Sequence, residues 1–152
     1  MPTYDEWLDR IHALGENRFV DLCSMLLTSY GYNPPRTLKG SGDGGKDIIT
    51  EFMLKLPETT ITQKVFCECK NTASTITQDE IQTKILQIKP HNPDRYVIFS
   101  VSDLAAGLVN WIEAHNNAHE RPRIDTATGN AFISYLFKSP QQKEIVLSLI
   151  HI

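Results

Sequence analysis

Residues 42–70 read GDGGKDIITEFMLKLPETTITQKVFCECK, and the division of this stretch into loop, strand, turn and strand decides the fold. Gly42, Gly44 and Gly45 break regular structure ahead of Asp47. From Asp47 the β-branched and aromatic run DIITEFML predicts a strand, LPETT a turn, and ITQKVFCECK a second strand antiparallel to the first. Alternation along the second strand sets Lys64, Phe66, Glu68 and Lys70 on one face and Val65, Cys67 and Cys69 on the other. Glu68 and Lys70 are then neighbours, their Cα atoms roughly 7 Å apart. Where the strand opening at Asp47 pairs with this one, two carboxylates and an ammonium converge at a sheet edge beside a glycine-rich loop.

Upstream, Tyr4, Trp7, Leu8 and Ile11 recur at spacings of three and four, which predicts a short helix ended near Gly15. Phe19, Leu22, Cys23, Leu26 and Leu27 mark a second helix, with Gly31 as its stop. The segment NPPRTLKGSGDGGKD between them and Asp47 reads as an irregular loop, because its prolines and glycines continue neither helix nor sheet. Downstream, Ile81, Ile85 and Ile88 predict a helix ended by Pro90, RYVIFSV an apolar strand, and Leu104, Leu108, Trp111 and Ile112 a helix capped at Ser102 or Asp103. RPRIDTATG reads as a short strand or turn, followed by one or two helices. The order, roughly ααββαβα(β)αα, is that of an α/β domain with a central mixed β-sheet flanked by helices. One domain over residues 1–152 is expected, since no repeat, low-complexity tract or interdomain linker is evident.

Composition narrows the function. The chain of 152 residues is 41% hydrophobic and 22% charged, in the range of a soluble domain with a substantial core. It has no apolar run of membrane-spanning length and begins MPTYDEWLDR, which lacks the basic and apolar regions of a signal peptide, so a cytoplasmic location is expected. Cys23, Cys67 and Cys69 are an odd set, two of them one residue apart, and fit reduced thiols better than a disulfide framework. A net charge of −3 argues against coating nucleic acid by bulk electrostatics. Contact with DNA would be local, through the basic cluster Arg36, Lys39 and Lys46 and the close backbone approach that Gly44 and Gly45 allow. Taken alone, such a cluster is usually a solvated loop.

Two close carboxylates in a partly dry site must share a proton or bind a cation, and oxygen donors favour Mg²⁺, with Mn²⁺ as its substitute. Such a site suits phosphodiester hydrolysis, with a cation polarising the phosphate and Lys70 positioning water and offsetting charge. An E-x-K triplet on a strand is by itself commonly a solvent-facing ion pair. Here it ends an apolar strand, after a strand headed by an acid and a glycine-rich loop.

On the helix FVDLCSMLLTSYGY, the loop and acid GDGGKDI, the strand end CECK, and YVIFSV with its following helix, the chain resembles the Mrr-like branch of the PD-(D/E)xK nuclease superfamily, which includes type IV restriction endonucleases. The likeness covers a core of about residues 15–125. It implies a restriction-endonuclease-like fold and a Mg²⁺-dependent endonuclease acting on double-stranded DNA in a prokaryotic restriction or antiphage defence system. It further implies Asp47 and Glu68 as metal ligands, the backbone carbonyl of Cys69 as another, and Lys70 as the catalytic lysine. Many relatives carry a Glu directly after the helix aromatic, where this chain has Phe19 and then Val20. Glu16, one turn earlier on the same face, is the candidate replacement. Without it, one metal rather than two is expected. The resemblance is compatible with a homodimer or higher oligomer, and with an effector domain joined to a regulatory or sensor domain in the same polypeptide. A Holliday-junction-resolvase-like nuclease and an inactive DNA-binding or interaction module stay open as alternatives. His115 and His119, four apart on a helix, have no evident third metal ligand and read as a polar helix end. The thiols of Cys67 and Cys69, on the face away from Glu68, read as core, as do Trp7 and Trp111.

Overall fold

The computed structural model describes residues 2–33, 36–38 and 46–150, with the backbone alone at 36–38, 46, 47 and 141. Among these residues β1 (Arg36–Leu38), β2 (Lys46–Lys55), β3 (Thr60–Lys70), β4 (Arg95–Ser100) and β5 (Arg123–Thr128) form one sheet in the order β1-β2-β3-β4-β5. Pairing is antiparallel from β1 to β3 and parallel from β3 to β5. Connection length explains the change. The turn after β2 is short, closed by Leu56 N–H donating to the Thr59 carbonyl at 2.8 Å, and a short turn can only reverse the strand. Crossing back to a parallel neighbour needs a longer excursion, supplied by α3 (Gln78–Ile88) between β3 and β4 and by α4 (Ala106–Asn117) between β4 and β5.

Helices cover both faces. On one side α1 (Tyr4–His12), α2 (Glu16–Ser29), α5 (Asn130–Leu136) and α6 (Pro140–Ile150) pack Trp7, Phe19, Leu26, Phe132 and Val146 against Val65, Cys67, Cys69, Val97, Phe99 and Ala127. On the other, Ile81, Ile85 and Ile88 of α3 and Leu108 and Ile112 of α4 pack against Phe66, Tyr96, Ile98 and Ile124. A strand covered on both sides must be apolar at successive positions, which is why RYVIFSV is a continuous apolar run. It also means that β3 is buried at every residue from Val65 to Cys69, Glu68 included.

The expected helices and central hairpin are present, with local differences. The proline- and glycine-bearing segment contains β1, three residues long, whose backbone the edge of β2 recruits at Ile48 and Ile49. The helix after β4 starts at Ala106, not at Ser102 or Asp103, because Leu104 forms a parallel bridge to Ile76 first. Pro90 sits inside a 3-10 turn, Lys89–His91, that extends α3. The ambiguous RPRIDTATG segment is β5, completing the parallel half. At Gly31 φ is +92°, the left-handed conformation that stops α2 where the sequence predicts. Among the described residues no helix is long and apolar enough to cross a membrane.

Phe132 is fully buried, its ring 5.4 Å from Phe19 and 5.7 Å from Phe99, so it joins α2, α5 and the sheet. Phe132→Ala is expected to lower unfolding free energy by about 3–5 kcal/mol in urea titrations followed by circular dichroism. A loss under about 1 kcal/mol would mean that this face is not a packed core.

Candidate active site

A cleft of about 730 Å³ opens past the end of β3 and is lined by Glu16, Glu68, Lys70, Asn71, Thr72, Ser74, Asp79, Glu80, Thr83 and Lys84. Clefts in sheets with parallel strands form outside the carboxyl ends of those strands, because the chain turns away there. Here β3 and β4 end in parallel register at Lys70 and Ser100. The loops that leave them are tied together: Ile76 N–H donates to the Asp103 carbonyl at 3.2 Å, Ala105 N–H to that of Ile76 at 2.9 Å, and Ser102 Oγ to that of Thr72.

Glu68 lies at the inner end of this cleft, 1% exposed. An ionised carboxylate withdrawn from water this far requires opposite charge or hydrogen-bond donors. Lys70 Nζ lies 3.7 Å from its Oε1, and Lys84 Nζ 3.5 Å from its Oε2, which also accepts from the Tyr96 hydroxyl at 3.4 Å. Lys70 is shared, with Glu80 Oε2 3.6 Å from the same ammonium. The strand alternation thus brings Glu68 and Lys70 together as the sequence predicts.

Glu16 reaches the cleft because of a corner. It is the first residue of α2, and the turn into it passes through Gly15 at φ +80°. Asn71, directly after β3, fastens that corner: its Nδ2 donates to the His12 carbonyl at 3.1 Å, and its Oδ1 lies 3.1 Å from His12 Nδ1. Asp47 is the Cα partner of Glu68 across the β2–β3 pairing, and Lys46 that of Cys69, so the backbone of the loop's last acid arrives beside the carboxylate. For Asp47, and for Lys46 and Arg36 among the basic candidates, the backbone alone is described; Lys39, Gly44 and Gly45 lie outside the described residues.

Lys84 and Asn71 were not singled out by sequence. For Lys84 a signal exists: it falls three residues after Ile81 and four before Ile88, within the apolar stripe of α3, and its side chain is only 7% exposed. A lysine at a buried helix position needs a buried acid nearby. Thr77 caps this helix, its Oγ1 accepting from Glu80 N–H at 3.4 Å, and Lys84 lies on the buried face with Ile81, Ile85 and Ile88. His115 Nε2 lies 2.6 Å from the Pro122 carbonyl, and Asn116 clips the same helix end to both backbone groups of Ile124. Among the described residues no three His, Cys, Asp or Glu side chains converge as metal ligands. The donors that line the cleft are nonetheless of one chemical kind. Carboxylates, amide and hydroxyl oxygens face it, while the thiols lie behind β3, and that donor set fits a hard divalent cation.

The three thiols are buried and form no disulfide among the described residues. Burial, and then the neighbouring Cys69, push the Cys23 and Cys67 thiols well above the ordinary cysteine range. The folded state therefore retains protons that the unfolded chain releases above about pH 8.5, so this contribution is complete below that pH and declines as pH rises beyond it. The midpoint of urea unfolding is expected to fall from about pH 8.5 upward, less steeply in Cys23→Ala. Native protein should leave Ellman's reagent unreacted at pH 8 until urea is added; rapid labelling of the native state would contradict the burial.

A restriction endonuclease family model, Mrr_cat, matches residues 11–136. The chain is similar in structure to the DNA modification-dependent restriction endonuclease AspBHI, with a TM-score of 0.65 and 18% identity, over 99% of this chain and 41% of that one. The chain thus spans about two fifths of that protein's length, and the likeness is one of fold. Curated protein sequences give no match.

Proposed function

Because the chain belongs to the restriction endonuclease family Mrr_cat, we propose that it is a nuclease domain that hydrolyses phosphodiester bonds of duplex DNA with Mg²⁺, Asp47, Glu68 and Lys70 carrying the chemistry. The observation that supports this reading most is the register of β2 against β3. It sets the Asp47 backbone opposite Glu68, while Lys70 stands 3.7 Å from the Glu68 carboxylate in the same cleft.

Charge supports metal dependence. Glu16, Glu68, Asp79 and Glu80 line the cleft against Lys70 and Lys84, so a phosphate entering it meets net negative charge. Asp47, Glu68 and the Cys69 carbonyl would hold the cation, with Glu16, which lines the same cleft from α2, as the candidate further ligand. When bound, a divalent cation supplies Lewis acidity and charge neutralisation at the phosphate. Lys70 keeps its ammonium at the cleft between two carboxylates. From there it donates hydrogen bonds that orient the attacking water and offset charge gathering on the phosphate oxygens. Tyr96 and Lys84 hold the far side of Glu68, so its carboxylate is fixed before substrate arrives. Arg36, Lys39 and Lys46, with Gly44 and Gly45, are assigned to the DNA backbone.

AspBHI is named as modification-dependent, and the present chain matches two fifths of it. By analogy we assign this domain the cutting role, in a restriction or antiphage system, with recognition supplied elsewhere or by a second copy.

Supercoiled plasmid incubated with the protein and Mg²⁺ or Mn²⁺ is expected to be nicked or linearised, and EDTA to stop the reaction. Asp47→Ala, Glu68→Ala and Lys70→Ala should each slow cutting by about 10²–10⁴-fold. Cutting indifferent to all three substitutions would refute the assignment. Tight DNA binding without cutting would point to an inactive module.

A further inference from the structure

Both oxygens of the buried Glu68 carboxylate are already claimed by cations of the protein. Oε1 faces Lys70 Nζ at 3.7 Å; Oε2 faces Lys84 Nζ at 3.5 Å and the Tyr96 hydroxyl at 3.4 Å. The two ammonium groups differ in freedom. Lys70 is 16% exposed and has a second carboxylate, Glu80, at 3.6 Å in the direction of solvent, so it can shift its charge outward while still paired. The Lys84 side chain is 7% exposed and fixed by its place in the apolar stripe Ile81, Ile85, Ile88. Its position leaves the amine little room to move away from Glu68 when a second cation enters.

We propose that Lys84 is a resident counter-charge that sets how tightly the candidate site holds a divalent ion. Resting on the nuclease reading above, this adds a positioning residue to Asp47, Glu68 and Lys70. In the absence of metal, the Lys84 amine stands against the Glu68 carboxylate within a covered sheet face. When a divalent cation takes up the same carboxylate, the fixed ammonium beside it repels the newcomer, and in surroundings of reduced dielectric that repulsion is substantial. The site would then hold its cation only when DNA phosphate adds further negative charge. Metal retention and substrate binding become coupled, and the free protein stays largely unloaded.

The test reads metal binding directly. Isothermal titration of the protein with MnCl₂, without DNA, is expected to show at least about five-fold tighter binding for Lys84→Met than for wild type, and near wild-type binding for Lys84→Arg. In the same series, the rise in melting temperature produced by Mn²⁺ should be larger for Lys84→Met, although its metal-free melting temperature is lower. A merely structural lysine would lower the melting temperature without tightening Mn²⁺. Equal or weaker Mn²⁺ binding by folded Lys84→Met overturns the proposal. Should that variant not fold, wild-type protein labelled with ¹⁵N-lysine serves instead. Saturating Mg²⁺ must then move the Lys84 Nζ resonance, identified by its absence in Lys84→Arg, and an unmoved signal overturns the proposal. Wild-type protein that neither binds Mn²⁺ nor cuts DNA overturns the nuclease reading as well. Wild-type protein that does both, with Lys84→Met binding no tighter, overturns only the role of Lys84.

Discussion

A carboxylate buried on a covered sheet face is the constraint around which this structure is arranged. Removing an ion of that size from water costs several kcal/mol even after the surroundings relax, so Glu68 has to be surrounded by groups that return the loss. Those groups come from separate parts of the chain: Lys70 from the same strand, Tyr96 from β4, Lys84 from α3. Each requires its element to sit at one rotation and one register. A one-residue slip of β3 would turn Glu68 into the face now filled by Cys67 and Cys69.

Strand β3 supports this because it is the pivot of the sheet, antiparallel to β2 and parallel to β4. The antiparallel side delivers the Asp47 backbone to Glu68. The parallel side makes two strand ends stop together, and the cleft forms beyond them. Behind the strand, the buried thiols of Cys23, Cys67 and Cys69 complete an apolar layer with α2. One face of β3 therefore carries Glu68 and Lys70 at its end, the other packs Val65, Cys67 and Cys69 into the core, and the alternation of the pleat keeps the two sets apart.

Access is set by a corner rather than by the sheet. Asn71 grips the end of α1, Gly15 turns the chain into α2, and Glu16 arrives at the cleft rim. The lining is acidic overall, which disfavours phosphate until positive charge is added. A protein with a net charge of −3 and such a cleft depends on local cations for any contact with DNA.

Local pattern was enough to read the α/β order, the β2–β3 hairpin, the facing of Glu68 with Lys70 and the burial of Cys67 and Cys69, since each follows from periodicities of about 3.6 and 2 residues along one segment. The restriction endonuclease kinship was legible from GDGGKDI and CECK taken together. Other features were not. Three residues became β1 in a segment rich in proline and glycine because an edge of β2 was there to pair with, and α4 began late because Leu104 was taken by Ile76. Sequence by itself determined which residues share a face, because spacing within a strand or helix is fixed by backbone geometry. Only the tertiary structure decided that Lys84 and Tyr96 meet Glu68 and that Glu16 stands over the same cleft, because those contacts join elements whose relative placement is set by packing, and packing has no period in the chain.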